Sequence, residues 1–307
     1  MNRAMPDGVW PTMVTPFTAA GAIDYDALER MIEWYIQRGV NGLFAVCQSS
    51  EMFYLSLEER VKLAAFVRGK AAGRVPVVAS GHISDRFEDQ VKELRALADT
   101  GIDALVLITN RIALQDESDE GWKRNLDKLL GQIPGHLALG LYECPYPYKL
   151  IVSPELLRWC AETERFLFLK DTSCDVDNMR AKLQAVQGSA LKIYNANSAT
   201  LLETLKLGAA GYSGVMANFH PELYVWLLQN WSGKPGEAEQ LSDFLSMASL
   251  IEKQLYPVNA KYDLMLEGVL TRYDCRSQNH QAFTATNRLE TEQLHRLSQT
   301  FSRQFRG

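Results

Sequence analysis

The chain has 307 residues, of which 47% are hydrophobic and 22% charged, with a formal net charge of −5. That length suits one large α/β barrel or two ordinary domains, and the composition excludes a disordered chain. The acidic balance gives no basic footprint for nucleic acid, no apolar run reaches membrane-spanning length, and the first residues lack the apolar core of a signal peptide. The expected location is therefore cytoplasmic, with no membrane or nucleic-acid partner.

The chain opens on an apolar run, 9–14. Asp24 then caps a helix in which Leu28, Ile32 and Ile36 share one face at intervals of four. Apolar runs follow at 43–46, 75–79, 104–108, 137–142, 166–169, 191–194 and 211–215. Runs that are apolar on both faces suit parallel strands covered by helices. The intervening stretches read as those helices. Ser56-Leu57-Glu58-Glu59 is a capping box, residues 87–98 are amphipathic, Ser153-Pro154 sets a cap before a first-turn proline, and 177–186 continues the alternation. Eight strand–helix units at a spacing of about 30 residues predict a (β/α)8 TIM barrel over residues 1–231. A doubly wound open sheet is the alternative, but no nucleotide fingerprint supports it. Past residue 220 the strand signal stops. Helices are predicted at 221–231, 236–255, 260–270 and 291–305, so residues 232–307 read as a C-terminal helical extension packed on the barrel.

Five cysteines occur, Cys47, Cys144, Cys160, Cys174 and Cys275. Their odd number and the lack of a C-x-x-C pair indicate neither a disulfide framework nor a zinc site. The five histidines are dispersed, and there is no H-E-x-x-H, Walker loop or G-x-G-x-x-G. No metal and no cofactor are expected.

In such a barrel the active site lies at the C-terminal ends of the strands. Strand six reads Phe166-Leu167-Phe168-Leu169-Lys170. Apolar surroundings disfavour the charged amine and lower its pKa, and a neutral amine can attack a ketone. Taken alone, the segment reads more simply as a strand-end lysine that snorkels into water. Strand five ends in Tyr142, placed by the same rule on the neighbouring strand at the same rim. A phenol there suits the proton transfers of imine chemistry, or it is a rim aromatic. Strand two ends in Cys47-Gln48-Ser49-Ser50-Glu51.

These segments together resemble the dihydrodipicolinate synthase / N-acetylneuraminate lyase family of class I aldolases, over nearly the whole chain. Residues 11–17, Pro-Thr-Met-Val-Thr-Pro-Phe, are similar to its first strand. Tyr142-Glu143-Cys144-Pro145 matches its Tyr-x-x-Pro segment, and Lys170-Asp171-Thr172-Ser173 its Schiff-base lysine motif, with the same 28-residue separation. Residues 211–218 resemble its last barrel strand. The resemblance implies a homotetramer built as a dimer of dimers, without metal or organic cofactor. It implies a 2-oxo acid substrate, pyruvate or a sugar acid that yields it, held as an imine on Lys170 with Tyr142 moving protons. It further implies that the Gln48–Ser49–Ser50 loop binds the substrate carboxylate and that the Ser213 carbonyl orients Lys170.

The sequence also departs from the family pattern. The loop's usual Gly-Thr-Thr-Gly-Glu is Cys47-Gln48-Ser49-Ser50-Glu51, so both glycines are gone and Gln48 stands where a threonine relays protons. Pro147 replaces the arginine that grips the second substrate in dihydrodipicolinate synthases. The tyrosine pair after strand four is missing, and Arg111 is a candidate replacement charge or a loop arginine. Asn195 and Asn197 either bind sugar-like hydroxyls or close a turn. Cys47, Cys144 and Cys174 fall at strand ends, where they fill the rim or include one oxidation-sensitive thiol. The expected activity is that of a class I lyase, aldolase or dehydratase on a 2-oxo acid. The alternatives are a non-catalytic 2-oxo-acid-binding barrel and dihydrodipicolinate synthase proper.

Overall fold

The computed structural model describes residues 5–305. Eight parallel strands form one sheet: β1 (Gly8–Val9), β2 (Leu43–Phe44), β3 (Val77–Ala79), β4 (Ala104–Ile108), β5 (Leu139–Tyr142), β6 (Phe166–Asp171), β7 (Lys192–Asn195) and β8 (Gly211–Tyr212). Neighbours in the sheet run β1-β8-β7-β6-β5-β4-β3-β2. A parallel bridge between Thr12 and Phe44 joins the two ends, and Met13 N–H and Pro11 C=O bond Phe44 across the gap at 3.1 and 3.0 Å. The sheet thus curls into the (β/α)8 TIM barrel that the eight-unit periodicity predicts. At the β1–β8 seam the backbones of Gly8 and Gly211 are paired. A Cβ on Gly211 would lie 2.0 Å from the Gly8 carbonyl oxygen, so only glycine fits there.

Several strands are shorter than their apolar runs. Pro11 and Pro76 have no N–H to donate, so β1 ends before residue 11 and β3 starts after residue 76. Strand β6 is longer than expected, because Lys170 and Asp171 stay in the ladder opposite Tyr194 and Asn195. The helix starts signalled by Asp24 and Ser56 are as predicted. The Asp24 side chain accepts from Ala27 N–H, and Ser56 and Glu59 form both halves of the capping box.

Past residue 231 lie helices Pro235–Ala248, Val258–Leu266 and Ala285–Phe305. The helix predicted over 236–255 stops earlier and continues as a 3-10 turn, Ser249–Lys253. Leu255 follows in the left-handed region at φ 52°, and Pro257 lies just beyond it. The last helix begins at Ala285, six residues before the predicted start, where Thr284 and Asn287 exchange hydrogen bonds. One hydrophobic cluster runs from the barrel into these helices and includes Leu241, Leu264, Leu294 and Phe305. No helix of the described residues is long and apolar enough to cross a membrane.

The barrel is plugged by aromatic rings. Phe168 stacks on Tyr194 at 4.6 Å, Trp10 meets both edge-on at 5.3 and 5.5 Å, and Phe44 packs at 6.0 Å from Phe168. This plug forms the floor of the site above it.

Candidate active site

Strand geometry sorts the key residues onto two faces. Successive side chains alternate, so Phe168 and Lys170 share one side of β6, and Leu169 and Asp171 share the other. Tyr142 and Lys170 are direct partners in the β5–β6 ladder. Both face the barrel's mouth, and the Lys170 Nζ lies 4.7 Å from the centre of the Tyr142 ring. Lys170 is only 3% exposed. Burial lowers its pKa, opposed by the Cys47 and Cys144 thiols and by Glu252. Burial likewise raises the Tyr142 phenol well above its ordinary value, so it stays protonated.

The next residue along each strand points the other way. Glu143 and Asp171 meet Lys182, from the helix Val176–Ala185, with its Nζ 2.5 Å from each carboxylate. All three side chains are fully buried. Glu143 also accepts from Val152 N–H at 3.0 Å and Thr172 N–H at 2.9 Å. Burial pushes its carboxyl up to about 7, Lys182 pulls it down, and Asp171 adds to the rise. Burial alone would lower Lys182, but its two carboxylate partners outweigh that and leave its pKa raised. The cluster clamps β5 to β6 directly behind the Tyr142–Lys170 pair.

A pocket of about 440 Å³ opens over Lys170 and Tyr142. Gln48 and Ser49 line it from the loop after β2. The Ser49 hydroxyl donates to the Thr12 hydroxyl at 3.2 Å, and the Gln48 carbonyl accepts from the Cys144 thiol at 3.4 Å. Ser50 is fully buried and folds back on its own loop. Its hydroxyl donates to the Cys47 carbonyl at 2.7 Å and accepts from the Cys47 N–H at 2.9 Å. Ser213 lies just past β8, fully buried, and its hydroxyl has no hydrogen-bond partner.

Glu51 ties the same loop to the C-terminal helices. Held left-handed at φ 62°, it forms a fully buried ion pair with Lys261 at 2.6 Å. Its second oxygen accepts from Arg276 and Ser277 N–H, each at 2.6 Å. The extension in turn walls the pocket with Glu252, Tyr256, Ser277 and Gln278.

Sequence reasoning missed these extension residues, along with Lys149. Residues 252–255 read as plain helix, and only the Leu255-Tyr256-Pro257 segment signalled a break. Arg111 does not reach the site. It pairs with Asp85 and lines a separate depression beside Tyr148, because the turn Thr109–Ile112 carries it outward. Lys149 stands at the pocket instead, donating to the Thr172 carbonyl at 2.8 Å. Asn195 and Asn197 close the turn after β7. Asn195 accepts from Asn197 N–H at 2.7 Å, and Asn197 accepts from Thr200 N–H at 3.0 Å. Of the three rim cysteines, Cys47 and Cys144 are buried and only Cys174 is exposed. Burial raises both enclosed thiols, Cys144 to about 11, which leaves them as poorly reactive thiols.

A (β/α)8 barrel with a desolvated lysine against a tyrosine at its C-terminal mouth has the architecture of a class I aldolase-type lyase. The dihydrodipicolinate synthetase family model matches residues 5–296, and the chain belongs to that family. It is 26% identical over 294 residues to a 4-hydroxy-tetrahydrodipicolinate synthase from Saccharophagus degradans, covering 92% of this chain and 99% of that one. Among solved structures, the fold matches the chloride-inhibited dihydrodipicolinate synthase from Acinetobacter baumannii complexed with pyruvate, with a TM-score of 0.84 and 23% identity over 95% of this chain and 99% of that one. It also matches a monomeric dihydrodipicolinate synthase variant, with a TM-score of 0.87 and 19% identity over 96% and 98%.

Proposed function

We propose that the protein is a class I lyase that binds a 2-oxo acid as an imine on Lys170. The observation that carries this reading is the buried Lys170 amine, lying 4.7 Å from the Tyr142 ring in an open pocket. The neutral amine attacks the ketone carbon, and the carbonyl oxygen takes a proton to become a carbinolamine hydroxyl. That hydroxyl leaves as water with a second proton delivered through Tyr142, and the C=N bond forms. The protonated imine then accepts the electron pair released when a C–H or C–C bond at the neighbouring carbon breaks, and the resulting enamine returns that pair when the carbon takes up a proton or an electrophile or a hydroxyl leaves as water. Ser49 holds the substrate carboxylate, Ser50 braces the loop beneath it through the Cys47 carbonyl, Gln48 borders it, and the Ser213 carbonyl orients Lys170. Because an amide is a poor proton relay, Gln48 contributes hydrogen bonds rather than proton transfer.

Incubation with pyruvate and borohydride is expected to fix a reduced adduct on Lys170, read by peptide mass spectrometry. The trapping rate should rise with pH as the amine loses its proton, and level off below the ordinary lysine value of ~10.4. No adduct with any 2-oxo acid would remove the mechanism. Trapping without turnover across a broad substrate panel would instead mark a binding barrel.

A second reading, dihydrodipicolinate synthase proper, draws on the names of the curated relatives. Pro147 cannot grip a carboxylate as arginine would, but Lys149 on the same loop brings a cation to the pocket. Condensation of pyruvate with aspartate semialdehyde distinguishes this reading from cleavage of sugar-acid or aromatic aldols. As part of the same proposal, the chain works in the cytoplasm as a homotetramer, with residues 1–231 as barrel and 232–307 as its extension.

A further inference from the structure

The segment between the 3-10 turn Ser249–Lys253 and the helix Val258–Leu266 packs Leu255 and Tyr256 against the hydrophobic clusters and holds Leu255 in the left-handed region at φ 52°. A leucine there is strained, and such strain gathers where a side chain must be aimed. The side chain aimed here is Tyr256, which enters the pocket that holds Lys170, Tyr142 and Ser49.

The surroundings of its hydroxyl are well defined. Asn218 Nδ2 donates to the Tyr256 oxygen at 3.2 Å. The same amide nitrogen donates to the Thr12 and Val215 carbonyls at 2.9 and 2.8 Å, and Asn218 Oδ1 accepts from Tyr35. The amide's two hydrogens are shared among these three oxygens, the Tyr256 contact being the longest, and because the amide nitrogen only donates, the Tyr256 oxygen faces it as an acceptor. The phenolic hydrogen remains free to point elsewhere. The Ser49 hydroxyl lines the same pocket, and its own proton goes to Thr12 at 3.2 Å. Burial also keeps the phenol protonated. The result is an O–H donor beside the loop that lost both of its glycines.

We infer that Tyr256 binds the substrate carboxylate, donating a hydrogen bond to it beside Ser49 and completing the anion site from within the same chain. This rests on the imine reading above. An arriving carboxylate takes the phenol's hydrogen bond, and a hydrogen bond to a charged acceptor is a strong one. The ketone carbon then lies over the Lys170 amine.

Tyr256→Phe tests this through the concentration dependence of borohydride trapping, using pyruvate and its uncharged analogue methyl pyruvate as probes. The half-saturating pyruvate concentration should rise about tenfold or more, the factor that a hydrogen bond to a charged group is worth. The maximal trapping rate should persist, and the methyl pyruvate response should not move. Ser49→Ala combined with Tyr256→Phe should cost less than the sum of the two, because both serve one carboxylate. An equal loss for pyruvate and methyl pyruvate would make Tyr256 merely structural and overturn the inference. A fall in maximal rate at unchanged half-saturation would make it a proton carrier and overturn it as well. If the parent protein traps pyruvate and the variant behaves identically, this inference alone fails. If the parent traps no 2-oxo acid, the imine reading fails and takes this one with it.

Discussion

Lys170→Ala is expected to lower turnover by at least about 10⁴-fold and to abolish the reduced pyruvate adduct. That is the scale lost when the central group of a covalent catalytic unit is removed. The protein should remain folded. The β6 ladder is backbone-bonded through residue 170 on both sides, to Tyr142 and to Tyr194, and does not depend on the side chain. The amine sits over the Tyr142 ring in buried surroundings that disfavour its charge. Deleting it relieves that cost while opening a small space at the pocket floor. Thermal unfolding followed by circular dichroism should therefore give a midpoint equal to or above that of the parent. Substantial activity in the variant would assign the chemistry to another group.

Lys182→Met should have the largest effect on stability, a loss of about 3–5 kcal/mol, the usual consequence of removing one partner from a buried ion cluster. The change leaves Glu143 and Asp171 facing each other without their cation in a fully buried site. Its pH dependence has a definite sign. Burial already raises the folded Glu143 carboxyl to about 7, and losing Lys182 removes the influence that pulls it down. A folded carboxyl that keeps its proton above the unfolded value of 4.5 favours the folded state at low pH. That advantage is lost as pH rises through the window from 4.5 to 7 and beyond. The gap between variant and parent should be widest near pH 8 and narrow toward pH 5. Urea unfolding at both pH values measures it. Equal midpoints for variant and parent at pH 8 would show that the cluster does not hold the strands.

The barrel was legible because its signals are local. Apolar runs four to six residues long, alternating with helices capped as at Ser56, define the strand–helix repeat without tertiary information. Lys170 and Tyr142 were legible for a related reason, since strand ends fall at one rim and the two motifs lie on neighbouring strands. Arg111 stayed open between a replacement charge and a loop arginine because the four-residue helical turn that carries it to Asp85 leaves no periodic trace. The extension's share of the pocket was hidden for a different reason. Tyr256, Glu252 and Ser277 reach the mouth because Glu51 grips Lys261 and the Arg276–Ser277 backbone, across more than 200 residues of chain. Charge pairing between such distant residues has no spacing rule, and a helix-period pattern over 236–255 conceals the turn that matters.

The two-sidedness of β5 and β6 also restricts how this site can change. Tyr142 and Lys170 serve the pocket while Glu143 and Asp171, one residue along, serve the clamp. Chemistry and cohesion are thus written as adjacent letters in two dipeptides. Substitutions can alter either letter, but a one-residue insertion or deletion within β6 exchanges their places. It would turn a carboxylate toward the substrate and set the Lys170 ammonium against that of Lys182. The site can therefore diversify through its loops and its extension far more freely than through the lengths of these two strands.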